Sequence, residues 1–134
     1  MFKIAKEIEI SASHSITNHP KCSRMHGHNY RIIVEVGSHK LDENDMVMDF
    51  SELKKILQKS IGRYDHMYIG KLPCGWSGNK DHIIDIPYNT TTAENLAKVW
   101  ANELQDLLPE GIFVTQIIVY ETAQSYAKWE NKDL

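Results

Sequence analysis

Two runs of alternating apolar and polar residues constrain the fold of this chain more than anything else in it. From Phe2 to Ala12, the residues Phe2, Ile4, Ile8 and Ile10 share one parity, while Lys3, Glu7 and Glu9 share the other. From His28 to Val36, the residues Tyr30, Ile32, Val34 and Val36 lie on one face, with Arg31 and Glu35 on the opposite one. Successive side chains leave a strand on opposite sides, so each run predicts a strand with one face covered and one face wet.

After a polar turn over residues 37–45 and an extended lead-in at Met46-Val47-Met48, the period changes. Asp49, with Glu52 three residues on, has the pattern of a helix N-cap. Phe50, Leu53, Ile56, Leu57 and Ile61 then form the apolar stripe of a first helix. Thr91 with Glu94 opens a second helix in the same way. Its buried side is predicted to carry Leu96, Val99, Trp100, Leu104, Leu107 and Leu108, and Pro109-Glu110-Gly111 ends it. Phe113 to Glu121 reads as a third strand and Tyr126 to Trp129 as a short fourth. The order ββααββ predicts an α+β fold: one domain over residues 1–134, a four-stranded antiparallel sheet and two helices on one of its faces. Residues 67–90 fit neither period and are a candidate lid, since long structureless connections in compact domains usually serve a function.

Composition narrows the function classes. With 42% hydrophobic and 25% charged residues in a chain of 134, a globular domain with a real core is expected. The formal net charge is −3 and no basic stripe is present, which argues against nucleic acid as a partner. No apolar run approaches the roughly 18–20 residues needed to span a bilayer. The segment Met1 to Glu7 lacks the apolar core of a signal peptide, so a cytoplasmic location is expected. Cys22 and Cys74 are the two cysteines, too few for a disulfide framework.

Four of the seven histidines fall within residues 14–28, and three of them, His14, His26 and His28, fit one strand face. In His26-Gly27-His28 the two imidazoles are two residues apart, hence on the same side of a strand, and they share parity with Tyr30, Ile32 and Val34. His14 shares the parity of Ile8 and Ile10. Two neighbouring strands then bring three imidazoles to one place, a set that binds zinc and leaves a fourth tetrahedral position open for water or substrate. His19, His39 and His82 lie in polar, turn-like stretches and read as solvated.

Other candidates follow from their surroundings. Cys22 lies between Lys21 and Arg24, and nearby positive charge lowers a thiol's pKa, which suits it to proton abstraction. Cys74 reads as structural. Asp65-His66 pairs a carboxylate with an imidazole, a usable proton shuttle. Glu121 shares the parity of Phe113, Ile117 and Val119, so its carboxylate faces an apolar side and is either paired or recognises something. Glu94 reads first as the helix cap partner of Thr91.

Together these segments resemble the 6-pyruvoyltetrahydropterin synthase superfamily. Ser11-Ala12-Ser13-His14 is similar to its first-strand metal motif, and Cys22-Ser23-Arg24-Met25-His26-Gly27-His28-Asn29-Tyr30 to its Cys-then-His-Gly-His motif. Val47-Met48-Asp49-Phe50-Ser51-Glu52-Leu53-Lys54, Asp65-His66, Thr92-Ala93-Glu94-Asn95 and Tyr120-Glu121-Thr122 follow in the family's order, so the likeness covers essentially the whole chain. It implies the tunnelling fold, assembled into barrels, commonly as a hexamer of two trimers with active sites between subunits. It also implies zinc on His14, His26 and His28, Cys22 as general base, and Asp65 and His66 as a proton relay. Glu121 would anchor a pterin, its carboxylate accepting two adjacent N–H donors, with Glu94 and Thr92 beside it.

Three residues separate Cys22 from His26, an interval that resembles the 6-carboxytetrahydropterin synthases of queuosine biosynthesis. The pyruvoyl-forming enzymes typically have a longer one. The resemblance then implies 7,8-dihydroneopterin triphosphate as substrate and 6-carboxy-5,6,7,8-tetrahydropterin, acetaldehyde and triphosphate as products. A pyruvoyl-forming synthase, a side-chain-cleaving relative and a non-catalytic zinc or pterin-binding module are the alternatives. The chain departs from the family pattern at Tyr64, where leucine is frequent, at Tyr68-Ile69-Gly70 and in the length of residues 67–89.

Overall fold

A computed structural model of the chain describes residues 1–16, 24–71 and 78–134. Cys22 and Cys74, with His19 and Lys21, lie outside them. The first alternating run forms β1 (Phe2–His14) and the second β2 (His26–Ser38). They pair antiparallel without a break from Phe2↔Ser38 to His14↔His26. Tyr30, Ile32, Val34 and Val36 are buried, as their parity predicts.

The helix α1 (Phe50–Ser60) is capped by Asp49, whose carboxylate accepts the Ser51 amide at 2.7 Å. Leu53, Leu57 and the following Ile61 are buried, but Phe50 is 54% exposed and departs from the expected stripe. It lines a surface groove with Phe2, Leu41 and Met46 at the end of the sheet away from the histidines. The second helix, α2 (Ala93–Leu107), is capped by Thr92 rather than Thr91: the Thr92 hydroxyl accepts the Asn95 amide at 3.1 Å. Adjacent threonines both suit a cap, and here Thr91 is buried one residue earlier. Glu94 is therefore not a cap partner. Leu96, Val99, Trp100 and Leu104 face the core, whereas Leu107 and Leu108 are only partly covered. Gly111, at φ 84, makes the left-handed turn that leads out of the helix.

The strands β5 (Phe113–Thr122) and β6 (Ser125–Glu130) close the chain, each slightly longer than its periodic core suggests. The sheet has six strands, not four, and it is mixed rather than antiparallel. Residues 67–90 contribute β3 (Tyr68–Ile69) and β4 (Ile83–Ile84), two-residue strands that pair parallel to each other, with Tyr68 also opposite Ser13. The order across the sheet is β4-β3-β1-β2-β5-β6. Two residues are too few to show a period, which is why neither strand is visible as a pattern. Both helices cover one face, where Ile10, Ile32, Val34, Ile117 and Val119 meet Leu53, Leu57, Leu96 and Trp100. Fully burying each such aliphatic side chain contributes about 1.5–3 kcal/mol before entropy is counted. Among the described residues, no helix is long and apolar enough to cross a membrane.

Candidate metal centre and active site

The unbroken β1–β2 register decides where the three histidines go. His14 sits opposite His26, and His28 is opposite Ala12, so all three side chains leave the same face at the same end of the sheet. Their ligand atoms converge: His14 Nε2 is 3.0 Å from His26 Nε2 and 3.1 Å from His28 Nε2. A tetrahedral metal with bonds of 2.0–2.1 Å requires nitrogen–nitrogen edges of about 3.3 Å, close to what is present.

The outer nitrogens fix the tautomers. His14 Nδ1 lies 2.6 Å from the Thr91 carbonyl and His26 Nδ1 lies 2.7 Å from the Arg24 carbonyl. A carbonyl only accepts, so in both neutral rings Nδ1 holds the proton and Nε2 presents a lone pair. His28 makes a hydrogen bond to the Glu121 backbone. Two lone pairs thus face each other at 3.0 Å with no proton between them, an arrangement suited to a cation. Burial pushes the His14 pKa down to about 4, keeping it in the ligating form. Burial also lowers His28, opposed by the Glu121 carboxylate, whose Oε2 is 4.0 Å from His28 Nε2.

Glu121 is half-buried at an irregularity in the β5–β6 pairing. With Glu94, Ala93 and Lys128 it lines a cavity of about 370 Å³ beside the histidines. Glu94, expected first as a helix cap partner, lies on this wall, two residues after Thr92. Thr92 itself spends its hydroxyl on Asn95.

Asp65 and His66 are close to each other, Oδ2 to Nδ1 2.9 Å. Asp65 Oδ1 also accepts the Ser11 amide at 2.8 Å, and this bond, followed by the one to His66, holds its carboxyl below the usual range. His66, at φ 61, donates its own amide to the Ser11 carbonyl. The pair does not join the three histidines. His66 lines a cavity of about 470 Å³ with Ser11, Ser13, Gly27 and Asn29, whose parity is opposite to that of the metal ligands, and with Ala12, His28 and His82. Three contributors were missed by sequence reasoning: Thr91, Arg24 through its carbonyl, and Tyr30. The Tyr30 hydroxyl is 3.3 Å from His14 Nδ1, and burial pushes that phenol well above its ordinary pKa. Only Tyr30 carried a signal, its shared parity with His28.

A mixed sheet with two helices on one face and three converging imidazoles that could hold a metal ion defines a class of α+β proteins. The chain belongs within it to the 6-pyruvoyl tetrahydropterin synthase family, whose model matches residues 3–132. It is 32% identical over 136 residues to the 6-carboxy-5,6,7,8-tetrahydropterin synthase of Bacillus subtilis, covering 98% of this chain and 86% of the relative. It is 31% identical over 140 residues to the protein of that name from Rickettsia typhi, with 96% and 99% covered. Among solved structures, an uncharacterized protein from Wolinella succinogenes superposes with a TM-score of 0.82 at 19% identity, covering 98% of both chains. The 6-pyruvoyl tetrahydropterin synthase of Plasmodium vivax gives 0.77 at 17% identity, covering 98% of this chain and 99% of the other. At those identities the structural likeness speaks for the fold.

Proposed function

We propose that the chain is a cytoplasmic, zinc-dependent lyase converting 7,8-dihydroneopterin triphosphate into 6-carboxy-5,6,7,8-tetrahydropterin, acetaldehyde and triphosphate for queuosine and related deazaguanines. One observation carries the metal reading: His14 and His26 have their Nδ1 protons committed to carbonyls while their Nε2 atoms face each other at 3.0 Å. The choice of reaction is supported by the names of the relatives at 31–32% identity and by the Cys22–His26 interval.

His14, His26 and His28 hold the zinc, which when bound supplies Lewis acidity toward the substrate's side-chain oxygens and acidifies the neighbouring C–H. Cys22 takes that proton. Glu121 anchors the pterin by accepting its adjacent N–H donors, with Glu94 and Thr92 completing that wall. Asp65 holds the His66 ring for proton return.

Among the described residues Asp65 and His66 bond to each other and to Ser11 and not to the three imidazoles, and we assign them to the centre of a second copy. The sheet allows such an assembly. Among the described residues β6 has a strand on one side only, and β1 meets β3 only at Ser13. Single domains of 134 residues joined edge to edge in this way close into the barrel of the tunnelling fold, as a homohexamer of two trimers.

The test is incubation of the zinc-loaded protein with 7,8-dihydroneopterin triphosphate and identification of the products by mass spectrometry. A 6-carboxytetrahydropterin with acetaldehyde is expected. A pyruvoyl product would move the chain to the other branch of the family, and no turnover with zinc bound would make it a binding module.

A further inference from the structure

His14 is the fully buried member of the three imidazoles, and the atom that orients it belongs to Thr91. Thr91 is only 3% exposed, and its hydroxyl is not engaged with α2. It donates instead to the Ile69 carbonyl at 3.0 Å, in β3. The next residue, Gly70, is shaped to that hydroxyl: at φ +126, a Cβ there would come within 2.6 Å of Thr91 Oγ1. Gly70 is in turn held by its amide, which donates to the Ile84 carbonyl of β4 at 2.8 Å.

We propose that Thr91 is a positioning residue of the metal centre: its hydroxyl, tied to Ile69 and seated against Gly70, fixes the carbonyl that orients His14. The two neighbouring threonines divide the work. Thr92 satisfies an orphan amide at the start of α2, and Thr91 satisfies a metal ligand. A main-chain carbonyl is a good orienting group only if its peptide plane cannot rock. The anchor to β3 supplies that restraint from outside the helix. It also gives the short edge strands a function that their length alone does not suggest. This inference rests on reading His14, His26 and His28 as a metal site, and the experiment separates the two.

Thr91→Val keeps the carbonyl and the branched shape and removes only the donor. Metal affinity is read by chelator competition with Zn2+, and ligand geometry by the visible spectrum of the Co2+ form, with folding checked by circular dichroism. Loss of an orienting partner typically costs 10–100-fold in metal affinity, and Thr91→Val is expected to raise the zinc dissociation constant about tenfold and to alter the cobalt spectrum. Thr91→Ser, which restores the hydroxyl, is expected to restore both. If Thr91→Val does not fold, Thr91→Ala is read in the same way. An unchanged dissociation constant and spectrum in Thr91→Val, with the wild type binding one metal per chain, overturns the proposal. A wild type that takes up no metal overturns the metal reading instead.

Discussion

The β1–β2 and β3–β4 pairs are neighbours in one sheet, yet they are specified by different physics. In β1–β2, two strands of 13 residues run in unbroken register, so alternation alone carries His14 and His28 to the same face. In β3–β4 each strand has two residues, and what holds them is individual contacts: the Ser13 amide on Met67 at 3.0 Å, Gly70 on Ile84, and Thr91 on Ile69. A long ladder sets direction cheaply because each pair reinforces the next. A short one cannot, and depends on side chains and glycines that fit one place. The long pair presents the ligands, and the short pair steadies one of them.

His28→Ala attacks the long pair where it matters most. It leaves two imidazoles of three, and both bound zinc, by elemental analysis, and turnover are expected to be lost together. Retained stoichiometric zinc would show that the register does not define the ligand set. Cys22→Ala, in the connection between β1 and β2, is expected to keep zinc and assembly while turnover falls by about 10²–10⁴-fold, the usual contribution of a positioned acid or base. An active variant would remove Cys22 from the chemistry.

Gly70→Ala tests the short pair. The added methyl meets Thr91 Oγ1 and the backbone is at φ +126, so a loss of about 1–3 kcal/mol is expected in denaturant unfolding. A variant as stable as wild type would mean that β3 does not depend on this fit. The smallest effect concerns the corner between the two pairs, where Asp65 accepts the Ser11 amide. Its carboxyl is held below the usual range in the folded chain. The unfolded chain therefore takes up that proton first as the pH falls, and the stabilisation, full above the ordinary carboxylate pKa, is lost as the pH falls through the lowered folded value. Melting temperatures of wild type and Asp65→Asn are expected to differ slightly at pH 6 and to converge on acidification; a constant difference would assign the effect to shape alone.

These contrasts also explain what the sequence made legible. Elements long enough to repeat a period could be read: β1, β2, α1, α2, β5 and β6, and with them the convergence of three histidines. Tyr68-Ile69 and Ile83-Ile84 could not, because a two-residue strand has no repeat. The choice between Thr91 and Thr92 as cap was equally hidden, since both offer the same hydroxyl and only burial against β3 distinguishes them. Phe50, at the first turn of α1, departs from the stripe: it lines the surface groove with Phe2, Leu41 and Met46 and stays 54% exposed. The Asp65-His66 pair was visible as a motif, but the face it occupies was not, because the turn at His66 follows no period.

The facing lone pairs of His14 and His26 have a consequence for the life of the protein before any substrate arrives. Were the proposed site to take up a metal, that uptake would add to folding stability as mass action requires. Scarcity of the metal would then deplete the pool of folded chains as well as idle the catalyst, and supply of the ion becomes a control on how long each molecule lasts.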